Sequence, residues 1–188
     1  MTAKRTKVIW VFTHGEKIPH AANPSLSENG KIQIFNIKKA ANDQRETELF
    51  DLMLKRIEFD YPIVCGTGNR HLETAKILGL EPTAYSPLAG CPDSSDMSPE
   101  GEKIALLSGN QSMPITKWMI PNTRPFLFSL EDNTILVAGR PFMLGLGYTE
   151  AKEGMIIKIT TSYDKIRNED FIFTTEIIAD SNGNLDIH

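Results

Sequence analysis

The longest apolar runs of this chain are continuous rather than alternating. They cover residues 7–12, 62–66 and 134–138, and each is followed by polar or glycine-rich positions. A short continuous apolar run bounded by turn residues is typical of a strand that is buried on both faces of a sheet. The pattern therefore predicts three strands of a covered, largely parallel sheet.

Helical patterns separate these runs. Between the first two strands the apolar positions recur at helical spacing, and Gly79 ends a third helix as a C-terminal glycine commonly does. The predicted helices cover about 27–41 (with Ile34, Ile37 and Ala41 on one side), 46–59 (with Leu49, Phe50, Met53, Leu54 and Ile57 on one face), 70–78, 98–108 and 125–130, and a short one ends near 147.

The C-terminal part changes character. Met155 to Thr161 and Phe171 to Ile178 are rich in β-branched and aromatic residues and are separated by a charged loop, which predicts a β-hairpin. Strands that alternate with helices predict an α/β fold: a three-layer sandwich with a mostly parallel central sheet flanked by helices. Without repeats or a linker, we expect a single domain over 1–188 with a variable insert at about 80–125.

Composition narrows the possible functions. The chain has 188 residues, 40% of them hydrophobic, and a net charge of -4, so no overall positive field is available to hold nucleic acid. No segment reaches the roughly 18 apolar residues of a membrane span, and we expect a cytoplasmic protein that binds neither membrane nor nucleic acid. Cys65 and Cys91 could form one disulfide but no metal cluster. We expect no metal and no cofactor.

Candidate chemistry follows the three predicted strands. Their carboxyl ends carry Thr13-His14-Gly15-Glu16, then Gly66-Thr67-Gly68-Asn69-Arg70, then Gly139-Arg140. Ligand sites of open α/β sheets lie beyond these ends. An imidazole and two guanidinium groups there predict an anion site, with phosphate as the expected anion. The candidate phosphate ligands are Arg70, Arg140, Thr13 and Thr67, and the imidazole is that of His14.

Three segments resemble the signatures of the histidine phosphatase superfamily, whose fold is phosphoglycerate mutase-like. Residues 11–16 are similar to a strand that ends in Arg-His-Gly-Glu, and residues 26–33 match Leu-Thr-Glu-x-Gly-x-x-Gln without a gap. Residues 65–75 keep the Arg and the Thr-Ala of Ser-Ser-Pro-x-x-Arg-Ala-x-Gln-Thr-Ala. The resemblance extends over about residues 7–147, with the elements in the same order.

The resemblance implies roles for two of the candidates. His14 would attack phosphorus and form a phosphohistidine that water then hydrolyses, and Arg70 would clamp the phosphoryl oxygens. The ligand would be a phosphorylated small molecule or inorganic phosphate. A phosphate with its hydrogen bonds spans less than about 10 Å, so His14 and Arg70 are expected to lie closer than that.

Departures from the family pattern predict weak or lost phosphatase activity. Thr13 replaces the arginine before the nucleophile, Gly139 stands where the second histidine is expected, and no general acid can be assigned. Arg140 would either replace the missing charge or point outward. Two alternatives remain: an active, atypical phosphomonoesterase that works through a phosphohistidine at His14, and a non-catalytic interaction module that uses the hairpin edge.

Other polar residues have simpler interpretations. His20 and His71 are expected at the surface. The carboxylates of Asp93, Asp96 and Glu100 could supply a proton, but turns and a helix start explain them equally well. Cys65 is expected to serve packing.

Overall fold

The computed structural model describes residues 5–19, 23–45, 47–90, 103–104, 115–116, 119–163, 172–182 and 184–185. Its strands are β1 (Arg5–Thr13), β2 (Ile63–Cys65), β3 (Ala84–Tyr85), β4 (Lys103–Ile104), β5 (Ile115–Thr116), β6 (Thr134–Ala138), β7 (Ile156–Tyr163) and β8 (Ile172–Ala179). Its helices are α1 (Glu28–Asp43), α2 (Glu48–Glu58), α3 (Asn69–Leu78), α4 (Met119–Ser129) and α5 (Arg140–Gly145).

Six of these strands form one mixed sheet in the order β3-β2-β6-β1-β7-β8. The first four are parallel, and the C-terminal hairpin β7–β8 extends the sheet in the antiparallel direction alongside β1. Strands β4 and β5 pair separately. The predicted α/β class, the three buried strands and the C-terminal hairpin are therefore confirmed.

The core has two layers, one on each face of the sheet. Along β1, Trp10 and Phe12 pack into the layer that α1, α2 and α3 cover, while Ile9 and Val11 pack into the layer that α4 and α5 cover. This alternation of two fully apolar faces explains why the strand is a continuous apolar run. It also makes the fold a three-layer sandwich.

Helix ends follow the local signals closely. The Ser27 hydroxyl accepts a hydrogen bond from the Gly30 amide and caps α1, whose buried positions include Ile34, Ile37 and Ala41. Helix α3 ends at Gly79, which has the left-handed φ of 72° that glycine adopts at low cost.

Two helix predictions are wrong in part. In α2 the core-facing side chains are Leu49 and Leu52, whereas Leu54 and Ile57 are 55% and 73% exposed. The apolar stripe of the sequence is wider than the single side of α2 that meets the core. Lys103–Ile104 form a strand, so the helix predicted over 98–108 is wrong there, and the rest of that segment lies outside the described residues.

In the part of the chain that the structure describes, none of the helices is both long enough and apolar enough to span a bilayer.

Candidate functional site

The site lies where three parallel strands end side by side. Thr13 at the end of β1 is in register with Ala138 at the end of β6, and Cys65 at the end of β2 is in register with Val137. The His14 amide continues this ladder by donating to the Ala138 carbonyl at 3.1 Å. The polar residues that follow the strands are therefore brought to one edge of the sheet.

His14 and Arg70 meet at this edge. The His14 side chain is nearly fully buried, and its Nδ1 lies 2.7 Å from the Gly15 carbonyl oxygen. A carbonyl oxygen can only accept, so Nδ1 carries the proton and Nε2 presents a lone pair. The Arg70 Nε–H donates to that lone pair at 3.3 Å. The distance is well within the expected limit for two groups that share one phosphate.

The surroundings keep the His14 imidazole neutral. Burial lowers the pKa of His14 to about 3, a hydrogen bond with the Gly15 carbonyl opposes this, and the positive charges of Arg70, Lys17 and Arg140 lower the pKa further. A neutral imidazole with its lone pair on Nε2 is the form that can act as a nucleophile.

The loop after His14 is held by α1. The Glu16 amide donates to the Gln33 side chain at 2.9 Å, and the Ser27 hydroxyl donates to the Glu16 carboxylate at 2.7 Å. The Gly15 and Gly30 backbones touch: a Cβ on Gly30 would lie 2.0 Å from the Glu16 carbonyl oxygen. The segment 26–33, which carries the second motif, thus supports the loop after His14.

Thr13 supports the same loop from the other side. Its buried hydroxyl lies 2.7 Å and 3.1 Å from the Lys152 and Met155 carbonyl oxygens, and it accepts from the Met155 amide at 2.7 Å. The Gly154 amide adds a bond of 2.8 Å to the His14 carbonyl. These contacts tie the Thr13 hydroxyl to the segment 152–155, and its role as a phosphate ligand stays a prediction.

Arg70 stands in the first turn of α3 and is nearly fully buried. The N-terminal turn of a helix favours negative charge, so a buried arginine there is electrostatically matched when an anion lies beside it. Thr67, just before α3, donates through its hydroxyl to the Gly90 carbonyl at 3.3 Å and through its amide to the same oxygen at 2.6 Å.

His71 corrects a prediction. It was expected at the surface, but its side chain is 0% exposed and its ring lies edge-on to the His14 ring, with the centroids 4.9 Å apart. Burial, followed by the charges of His14 and Arg70, holds the pKa of His71 well below its usual value. The site therefore contains two neutral imidazoles. The sequence signal was weak because the partners that bury His71 lie far away along the chain.

Lys17 and Glu153 were also missed. The positive charges of Lys17 and Arg140 act on both His14 and Glu153. Burial raises the pKa of Glu153, although Arg140 and Lys17 oppose the shift. Arg140 is the first residue of α5 and is partly buried. Glu153 belongs to the segment 152–155, which the Thr13 hydroxyl holds against the end of β1.

Other candidates contribute nothing to the described site. Cys65 is buried with a free thiol whose pKa burial raises to about 12, in line with packing. Among the residues placed by the structure, no three His, Cys, Asp or Glu side chains cluster as metal ligands. The remaining sequence candidates lie outside the described residues: His20, Cys91, Asp93, Asp96 and Glu100.

Solved structures share this architecture. TTHB049 from Thermus thermophilus superposes with a TM-score of 0.52 at 16% identity, covering 80% of this chain and 92% of that one. The Mycobacterium tuberculosis protein Rv3214 gives 0.51 at 13% identity, with 90% and 96% covered. A mycobacterial glucosyl-3-phosphoglycerate phosphatase gives 0.50 at 10% identity, with 91% and 97% covered. The likeness shows the fold, which is phosphoglycerate mutase-like.

No protein-family model matches the sequence. No curated protein matches it either.

Proposed function

We propose that this chain binds the phosphoryl group of a phosphorylated small molecule between His14 and Arg70 and hydrolyses the ester slowly. The observation that carries the proposal is the buried contact of 3.3 Å between His14 Nε2 and Arg70 Nε. An imidazole lone pair and a guanidinium in one buried site match the phosphorus and the oxygens of a phosphate monoester.

Charge favours an anion at this place. Arg70, Lys17 and Arg140 all act on His14 with positive charge. The same three cations act on Glu153, and so does the negative charge of Glu16. A phosphate dianion would be attracted by the three cations. One of the structures that share this fold is named as a glucosyl-3-phosphoglycerate phosphatase, which supports a phosphorylated small molecule as the ligand class.

The chemistry that the geometry supports has two steps. The His14 Nε2 lone pair attacks phosphorus, the N–P bond forms as the ester P–O bond breaks, and the leaving oxygen takes a proton from an acid. Water then attacks phosphorus and returns a proton to that acid, the N–P bond breaks, and inorganic phosphate and the free imidazole are released. The Nδ1–H contact with the Gly15 carbonyl, at 2.7 Å, keeps the proton on Nδ1 through both steps, so that Nε2 is the nitrogen that bonds to phosphorus.

Two features of the site predict slow turnover: charged donors are missing at positions 13 and 139, and the Arg70 Nε–H covers the His14 lone pair. Thr13 contributes a hydroxyl that is already bound to the segment 152–155, and Gly139 contributes no side chain. Loss of one charge-stabilising donor costs about 10² to 10³ in rate. The Arg70 Nε–H also lies on the His14 lone pair, so it must move to an oxygen of the ligand before attack.

One observation favours full phosphomonoesterase activity as a second candidate. Glu153 is half-buried beside the cations, and burial raises its pKa, which is the behaviour of a carboxyl group that donates a proton. In that case Glu153 would protonate the leaving oxygen.

Under either candidate function, we propose that residues 1–188 form one domain and that the protein works in the cytoplasm.

The proposal is tested by thermal unfolding in phosphate and in chloride at matched ionic strength. At 100 times the dissociation constant, bound phosphate adds about 2.7 kcal/mol, or about 5–10 °C for this chain length. We expect Arg70→Ala to lose this shift and the control Arg45→Ala, at an exposed arginine, to keep it. Equal shifts in all three proteins would exclude the phosphate site and favour an interaction module.

Hydrolysis of an aryl phosphate separates the two candidates. Slow turnover predicts a rate well below about 1 s⁻¹ that His14→Ala removes. A rate at or above that value, lost in both His14→Ala and Glu153→Gln, would establish the phosphomonoesterase instead.

A further inference from the structure

Strand β8 forms one edge of the six-stranded sheet. It is the last strand in the sheet order and pairs with β7 on one side only. On its other side, within the described part of the chain, Ala179 alone is paired, through a bridge to Leu185. Residues 172–178 therefore present an edge of backbone N–H and C=O groups that no described strand covers.

The side chains of β8 do little to protect this edge. Edge strands that avoid pairing usually carry lysines, prolines or unpaired charges. The eight residues of β8 include one charged residue, Glu176, and neither lysine nor proline. The Glu176 carboxylate lies 3.6 Å from Lys158 Nζ on β7, so its charge already has a partner. A strand rich in β-branched residues with a compensated charge is suited to pair with another strand.

The residues of β8 are arranged symmetrically about Thr175. Polar Thr174 and Glu176 flank it, and apolar Phe173 and Ile177 lie one step further out. When two copies of β8 lie antiparallel with their Thr175 residues opposite each other, Phe173 of each copy lies opposite Ile177 of the other. Thr174 lies opposite Glu176 in the same way. A shift of one residue would instead oppose Phe173 to Glu176, or Thr174 to Ile177.

The uncovered stretch has the same centre. The Ala179–Leu185 bridge ends it on one side and the start of β8 ends it on the other, so Thr175 is the midpoint of 172–178. Phe173 and Ile177 are only partly buried, against the layer that α4 and α5 cover. A twofold axis perpendicular to the sheet keeps this layer on the same side in both copies. The two pairs of Phe173 and Ile177 would therefore cover the open end of the layer.

We propose that two copies of this chain associate through antiparallel β8 strands, with the two Thr175 residues opposite each other, so that their sheets become continuous. This inference goes beyond the proposed function and does not depend on it. A ladder over the seven residues 172–178 is about 24 Å long. Because such a contact lies at the small end of protein interfaces, the dimer is expected to be reversible.

The test measures the dimer dissociation constant of the full chain by sedimentation equilibrium. Thr174 is exposed, so a charge there leaves the core unchanged. Thr174→Lys puts an ammonium group opposite Glu176 of the other copy, twice in each dimer, and should tighten the dimer about tenfold. Thr174→Glu puts a carboxylate there and should weaken it by about the same factor. Asn36→Lys and Asn36→Glu are matched controls at an exposed position of α1 and should change nothing.

Three outcomes would overturn the proposal. If the wild type and Thr174→Lys stay single chains at every concentration, the edge does not pair with a second copy and is left for an extended segment of another protein. If a dimer forms but ignores the charge at position 174, it uses another surface, such as the exposed Leu54 and Ile57 of α2. If lysine and glutamate weaken the dimer equally, Glu176 does not lie opposite Thr174.

A second measurement uses the wild type alone. Raising the protein concentration should slow hydrogen exchange in peptides that cover 172–178, because edge amides gain acceptors, and should leave peptides of α1 unchanged. Exchange in 172–178 that does not depend on concentration, in a protein that sedimentation shows to dimerise, would also overturn the proposal.

Discussion

The two sides of the site are built in different ways. On one side the loop after His14 is held by internal hydrogen bonds: the Ser27 hydroxyl donates to the Glu16 carboxylate, the Glu16 amide donates to the Gln33 side chain, and the Met155 amide donates to the Thr13 hydroxyl. On the other side the His71 ring is packed against Gly66, Gly90 and Gly139.

A buried polar group that loses its hydrogen-bond partner costs about 1–3 kcal/mol. Substitutions on the side of the His14 loop are therefore expected to lower the free energy of unfolding more than substitutions on the His71 side. The following predictions test that division, from the largest expected effect to the smallest.

The largest effect is expected from Gly30→Ala, on the side of the His14 loop. The new Cβ would lie 2.0 Å from the Glu16 carbonyl oxygen, which belongs to the backbone and cannot turn away. Overpacking of this kind costs about 3 kcal/mol, well above the gain of about 1 kcal/mol from replacing a helical glycine. Urea unfolding measures the change. A variant as stable as the wild type would show that α1 and the His14 loop are not in rigid contact.

Thr13→Val is expected to cost about 2 kcal/mol of unfolding free energy, because the buried Met155 amide loses its acceptor at 2.7 Å. Thr13→Ser, which keeps the hydroxyl, is the matched control and should lose much less. The phosphate shift of the melting temperature should survive in both. Selective loss of that shift in Thr13→Val would restore Thr13 as a phosphate ligand.

Features of the fold that depend on residues close together in the chain could be predicted from the sequence, and features that depend on distant residues could not. The run at 134–138 and the Gly79 stop depend on neighbouring residues, and both lie where the sequence places them. The approach of His14 to Arg70 follows from the rule that parallel strands end at one edge.

His71 could not be placed by the same reasoning. Its burial depends on Gly66, Gly90 and Gly139, which are brought together only by the folded sheet. The exposed side of α2 has a similar cause: periodicity reports an apolar stripe, but only the neighbouring elements decide that Leu49 is covered and Ile57 is not. Glu153 joins the site through a long-range bond, from the Met155 amide to the Thr13 hydroxyl.

Mild acid should destabilise the protein through its two buried imidazoles. Burial lowers the pKa of His14 to about 3 and holds that of His71 well below 6.5. Below about pH 6.5 the unfolded chain takes up protons that the folded chain does not, so stability is present above this pH and is lost as the pH falls. Each histidine contributes a slope of up to about 1.4 kcal/mol per pH unit.

Unfolding free energies between pH 6.5 and 5, in chloride, measure this slope. His71→Gln removes one titrating group, so its slope should be smaller by up to about 1.4 kcal/mol per pH unit, while the other titrating groups are common to both proteins. Parallel curves for the two proteins would mean that the His71 imidazole titrates normally and is therefore accessible to water.

The smallest effect is expected from Gly139→Ala, the same substitution as the first but on the His71 side. The new Cβ would lie 3.2 Å from both His71 Nε2 and Pro141 Cδ, which is tight but not prohibitive. Replacing glycine where φ is ordinary also gains about 0.4–1 kcal/mol through the unfolded state. The net change in the free energy of unfolding should therefore be a loss of about 1 kcal/mol or less.

In a His71→Ala background the contact with the ring is gone, so Gly139→Ala should there stabilise the protein by about 0.5 kcal/mol. Unfolding free energies of the four proteins form a double-mutant cycle, and we expect a coupling of about 1 kcal/mol. Additive effects would show that the His71 ring does not oppose a side chain at position 139.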